Sequence, residues 1–169
     1  MKAHLKTILT LGTLTVLVLL GVTWGWSAMT SPFPQGAAAT RICVQTTVQA
    51  GERVAAPKVT VSVYNASDRL GLADRTMAQF EAQGFGAGKV ANAPQGSNVN
   101  YAQVWTHDPQ NPAVQLVISR LGPKAHIADK DPQGPGVTVM VGAGFEALVP
   151  GKASVKVTEQ SEICSPPTQ

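Results

Sequence analysis

An amide, a hydroxyl and a guanidinium stand close together in VTVSVYNASDRLGLADRTMAQFEAQGF, which runs from Val59 to Phe85. They belong to Asn65, Ser67 and Arg69, between a strand pattern and a helix pattern. Backbone N–H groups at a helix start lack partners and carry partial positive charge. A loop of this composition can therefore hold a phosphate or a sugar carboxylate. The same residue types also serve structure. An asparagine closes an Asx turn, and Ser67 or Asp68 can cap the following helix. Capping alone would account for every polar residue present. Asn65-Ala66-Ser67 also fits a glycosylation sequon, placed in that same turn.

Other chemistry finds less support. The His–acid pairs are His107 with Asp108 and His126 with Asp129. Scattered histidines without cysteine partners do not make a zinc site, so no metal is expected. No Gly-x-Ser-x-Gly elbow is present, and no catalytic residue is expected. GFGAG (84–88) is followed by a strand pattern, not a helix. GAGFEAL (142–148) lacks the third glycine and the downstream acid of a dinucleotide loop. No cofactor is expected. Trp105, inside a strand pattern, reads as core.

The elements that must position the loop are legible from periodicity. Val59, Val61 and Val63 alternate with Thr60, Ser62 and Tyr64, a strand with one apolar face. Ala73, Met77 and Phe80 form a helical stripe, and Gly84 suits the left-handed position after the helix. Residues 86–93 read as a weak strand and 101–107 as a better one. Asn111 and Pro112 open a second helix, which buries Leu116, Val117 and Leu121 and stops at Gly122-Pro123. Residues 124–129 make a short strand. Val137–Val141 is the most apolar run and should lie centrally. The order β-α-β-β-α-β-β over 58–149 predicts an α/β fold, a small two-layer sandwich with a mixed sheet of about five strands and two helices. A short strand is also expected near Ala153 to Thr158 in the tail, 150–169.

The ends set the compartment. Residues 1–7 carry Lys2 and Lys6, and Ile8 to Ala28 has no charged side chain. About 20 apolar residues cross a bilayer as a helix. The lysines hold the N-terminus in the cytoplasm, and Trp24 and Trp26 suit the far interface. The expectation is one uncleaved transmembrane signal anchor at 8–28, with a cleaved signal peptide as the rival. The Pro- and Gly-containing stretch 29–57 reads as an extended linker. The two cysteines, Cys43 and Cys164, fit an exported domain in which they form a disulfide; free thiols or bonds between chains are the alternatives. The net charge of +3 includes the two N-terminal lysines, which leaves no basic patch for nucleic acid.

VSVYNASDRLGLADRTMAQFEAQGF resembles the signature of the LytR C-terminal domain family. Val63, Asn65, Ala66, Gly71, Leu72, Ala73, Gly84 and Phe85 match it. Downstream, VANAP (90–94), NPAVQLVISRLGP and VTVMVGAGFEAL are similar to its second strand, second helix and closing strand. The departure is Gly142-Ala143-Gly144-Phe145, where an acid is more usual. In layout the chain is similar to single-pass envelope integrity proteins of this family. Larger members join the domain to a phosphotransferase that moves glycopolymers onto peptidoglycan; this chain is too short to carry it. The resemblance implies a non-catalytic, membrane-anchored, extracytoplasmic module for envelope integrity or cell-wall assembly. Its partner would be an envelope protein or a cell-wall polymer. The alternative is a binding domain or enzyme for phosphorylated glycopolymer precursors, acting through Asn65, Ser67 and Arg69.

Overall fold

The computed structural model describes residues 12, 14–22 and 42–167. The chain divides into two units, 1–40 and 41–169. In the first, residues 14–22 are helical and expose Leu14, Val16, Leu17 and their apolar neighbours. Among the described residues, no helix is long and apolar enough to cross a membrane. The expected 8–28 span lies partly outside the described residues, and the cytoplasmic segment 1–7 wholly so.

The second unit is built on a five-stranded mixed sheet. Its strands are β3 (Thr60–Asn65), β4 (Gly86–Asn92), β5 (Ala102–Trp105), β6 (His126–Ala128) and β7 (Val137–Val141), in the order β4-β3-β7-β5-β6. β3 runs parallel to β4 and β7, β5 is antiparallel to β7, and β6 is parallel to β5. β7 is central, as its apolar run requires. Helix α1 (Leu72–Ala82) and helix α2 (Pro112–Leu121) join the sheet in one apolar core. Val61, Val63, Val139 and Val104 meet Phe80, Leu116 and Val117 there, all wholly buried. Burying a Val, Leu or Phe side chain contributes about 1.5–3 kcal/mol, which makes this face the main source of stability.

The helix ends follow local rules. Asn111 accepts a hydrogen bond from Ala113 N at 3.0 Å, and Pro112 opens α2. Gly84, with φ +85°, closes α1. The start of α1 differs from expectation: the N-cap is Gly71, not Ser67 or Asp68, and no side chain caps it.

Two further features surround the sheet. Thr60, Ser62 and Tyr64, on the face opposite the valines, are buried as well. The loop 129–136 covers them. Ser62 Oγ donates to Pro135 O at 2.6 Å, and Tyr64 Oη donates to Gln133 O at 2.5 Å. Tyr64, Val99, Trp105 and Met140 form a second, smaller core beneath it.

The stretch 29–57, expected as an extended linker, differs from that expectation. Its described part, residues 42–57, contains β1 (Val44–Val48) and β2 (Arg53–Ala55). β1 pairs antiparallel with β9 (Ser161–Ser165), and β2 with β8 (Ser154–Lys156). The tail strand expected near 153–158 is β8, and β9 adds a second strand to the tail. Cys43 and Cys164 are disulfide-bonded, with Cα atoms 5.4 Å apart, and lock this ribbon. Val48, Val54, Val157 and Ile163 are buried in the main core, so the flanks belong to the domain's packing.

Candidate functional site

The loop after β3 brings Asn65, Ser67 and Arg69 together, and their polar atoms bind one another. Asn65 Oδ1 accepts from Ser67 N at 3.0 Å and from Ser67 Oγ at 2.8 Å. Asn65 Nδ2 donates to Arg69 O at 2.8 Å, and Ser67 Oγ accepts from Arg69 N at 3.2 Å. This is an Asx turn continued by a serine turn. Ser67 Oγ is thereby engaged inside the turn, and Gly71 takes the N-cap position.

Arg69 reaches across the molecule. Its Nη1 donates to Ala143 O at 2.9 Å and to Phe145 O at 2.7 Å. These carbonyls belong to the GAGF turn that follows β7. Gly142 N and Gly144 N in turn donate to Tyr101 O and Asn100 O, at 2.7 and 2.8 Å. Phe145 is wholly buried against Tyr101, with ring centroids 5.4 Å apart. The unusual Gly-Ala-Gly-Phe is thus a tight turn that ends the strand at Val141, and Arg69 straps it to the start of α1. Removing a charged donor leaves two carbonyls short of a partner. Because Arg69 is exposed, Arg69→Ala is expected to cost only about 1 kcal/mol. Urea unfolding checks this; an unchanged midpoint would show that the strap carries no stability.

An open groove of about 490 Å³ adjoins the loop, lined by Asn65, Ser67, Asp68, Asn92, Ser97 and Asn98 among others. It is polar, and Asp68 is the one ionisable side chain among its described lining residues. Arg69, the cation expected to recognise an anion there, is directed to the GAGF carbonyls.

The histidines sort differently from their sequence pairing. His107, not His126, meets Asp129: Nδ1 lies 2.5 Å from Asp129 Oδ1, and Nε2 lies 2.9 Å from Asp131 Oδ1. A neutral imidazole carries one N–H and can donate to one carboxylate only; donating to both requires the protonated ring. Hydrogen bonds donated to Asp131 and Asp129 raise the His107 pKa above its ordinary 6.5. The contribution is therefore fully present below pH 6.5 and is lost as pH rises through the raised value. All three side chains are largely exposed, so the effect is local. We expect amides of the 129–136 loop to exchange faster above that pH, and Asp131→Asn to lower the His107 titration midpoint by NMR. An unchanged midpoint would contradict the pairing. Among the described residues, no group of three or more His, Cys, Asp or Glu side chains is arranged to hold a metal ion.

Trp105 is buried, its Nε1 donating to Gln103 Oε1 at 3.0 Å, with Lys130 Nζ 4.6 Å from the ring centroid. Its ring serves the second core.

Helices on one face of a mixed sheet, a covering loop on the other and a disulfide-locked ribbon at the flanks define a small, clamped α/β domain. Residues 58–145 match the family model described as LytR cell envelope-related transcriptional attenuator, and the chain belongs to that family. No curated protein matches it. Among solved structures, it is similar to the soluble domain of a conserved hypothetical secreted protein from Mycobacterium marinum. The two are 21% identical, the match covers 62% of this chain and 80% of that one, and the TM-score is 0.49.

Proposed function

We propose that this chain is a membrane-anchored, extracytoplasmic interaction module of the cell envelope, without catalysis of its own. The disulfide carries this reading. Cys43, just before the first described strand of the domain, is bonded to Cys164 in the last, and such bonds persist in oxidising compartments. The apolar, uncharged run Ile8 to Ala28 precedes it and supplies the anchor, with the N-terminus cytoplasmic. The family description points to the envelope. The partner is then an envelope protein or a cell-wall polymer, and the module contributes to envelope integrity or wall assembly.

The alternative, a binding domain or enzyme for phosphorylated cell-wall glycopolymer precursors, draws on the groove beside Asn65, Ser67 and Arg69. It is weakened by the hydrogen bonds that engage these side chains within the protein.

Reporter fusions and gene deletion test the proposal together. A phosphatase fused after Gln169 should be active outside the cell, and loss of the gene should raise envelope permeability. An inactive C-terminal fusion, or a deletion strain with unchanged permeability and wall composition, would overturn it.

A further inference from the structure

A second cavity lies at the opposite end of β3 from the Asn65 loop. It is a cleft of about 420 Å³ between the β1/β9 ribbon and the loop 132–137. Ligand sites commonly measure roughly 300–1,000 Å³. One wall is the Cys43–Cys164 disulfide and its ribbon, the other is Pro132, Gly134 and Pro135, and Thr60 and Thr138 line it from the sheet. Both walls are stiff, one through the covalent bond and the other through its prolines.

Two observations define what such a cleft would bind. The first is Thr60. It is wholly buried, and its Oγ1 has no hydrogen-bond partner. Its neighbours on the same face are all engaged: Ser62 and Tyr64 donate to loop carbonyls, and Thr138 Oγ1 accepts from Gln133 N. Buried hydroxyls are seldom left unpaired, because the lost hydration is not replaced. A ligand group that hydrogen-bonds Thr60 recovers that loss.

The second is charge. Among the described residues that line the cleft, Glu162 is the one ionisable side chain. It is exposed at the rim, and Asp131 precedes the lining Pro132. An anion entering here meets the Glu162 carboxylate and no lysine or arginine among the described lining residues. Phosphorylated ligands are therefore disfavoured, and a basic group is favoured. Walls that mix apolar and polar groups suit an extended peptide, which offers backbone hydrogen bonds and alternating side chains at once.

We propose that this cleft binds an extended segment of a partner protein. A basic side chain is set against Glu162, and a backbone amide group pairs with Thr60 Oγ1. The inference rests on the reading of the chain as an interaction module and names the chemistry of its partner.

The test pans a random heptapeptide display library against the full-length chain in detergent micelles with its disulfide intact. Enriched peptides should carry lysine or arginine. As soluble peptides they should bind at least tenfold more weakly to Glu162→Gln and severalfold more weakly to Thr60→Val, with Arg69→Ala binding like wild type. Thr60→Val removes an unpaired buried hydroxyl, so its melting temperature should hold or rise while its affinity falls. A folding defect would lower both. No enrichment over empty micelles, no basic bias, or binding indifferent to Glu162→Gln would overturn the proposal. If panning fails while an envelope protein is still captured by the chain, the cleft assignment falls and the module reading stands. If both fail, both fall.

Discussion

Serine at both Cys43 and Cys164 is expected to lower the unfolding free energy by about 5 kcal/mol. The two residues are 121 apart in sequence, so their bond removes much of the unfolded chain's loop entropy. The native state loses little else directly, because β1 and β9 still pair across five positions. Four of the five β1 residues are exposed, however, and Val48 alone anchors that strand in the core. Without the covalent link the ribbon should fray from its outer end, leaving the β2/β8 pair and the main sheet folded. Urea midpoints of the oxidised protein and the double serine variant measure the cost. A difference below about 1 kcal/mol would mean that the ribbon holds itself and that the unfolded state is already compact.

Alanine at Gly136 or Gly142 is expected to cost about 3 kcal/mol or more. A Cβ on Gly142 would fall against the backbone of Val99 and Asn100, and one on Gly136 against the Thr60 carbonyl. These obstacles are backbone atoms, which cannot turn aside as a flexible side chain would. Gly136 also has φ +72°, a left-handed value that side chains resist. The two positions hold different parts of the molecule. Gly142 lets the GAGF turn close against residues 99–101, whereas Gly136 lets the covering loop approach β3. Gly142→Ala should therefore loosen the Arg69 strap and Phe145. Gly136→Ala should expose Ser62, Tyr64 and the cleft beside Thr60. Thermal melts give the magnitude, and amide exchange gives the location. Wild-type melting for either variant would contradict the packing described.

Local chemistry made the central fold legible. A strand buried on both faces must be apolar along its length, which marked Val137–Val141 as central. The Asn111-Pro112 pair and the Ala73, Met77, Phe80 stripe located both helices through capping and periodicity. The flanks were not legible for a physical reason. VQTTV and SEICS are short and mostly polar, and their pairing depends on contacts over a hundred residues apart. The covering of Thr60, Ser62 and Tyr64 was hidden likewise. Hydroxyl side chains in alternation read as a solvent face until Pro- and Gly-rich backbone supplies their acceptors. At the candidate loop the sequence set Asn65, Ser67 and Arg69 near one another and left their task open. Asn65, Ser67 and Arg69 do converge, but their donors and acceptors meet inside the protein. The target of Arg69 lies more than seventy residues away, beyond the reach of any local pattern. The cleft combines residues from both ends of the domain with a middle loop, so no single stretch announced it.

We propose a domain that recognises a partner protein and in which the Asn65–Arg69 loop is structural. The most direct measurement is a pull-down of the oxidised chain against solubilised envelope, with proteins and glycopolymers identified together and Arg69→Ala as control. Capture of an envelope protein, undiminished by Arg69→Ala, is the predicted result. Capture of a phosphorylated glycopolymer or precursor, lost in Arg69→Ala, would make the loop the binding site and overturn that proposal.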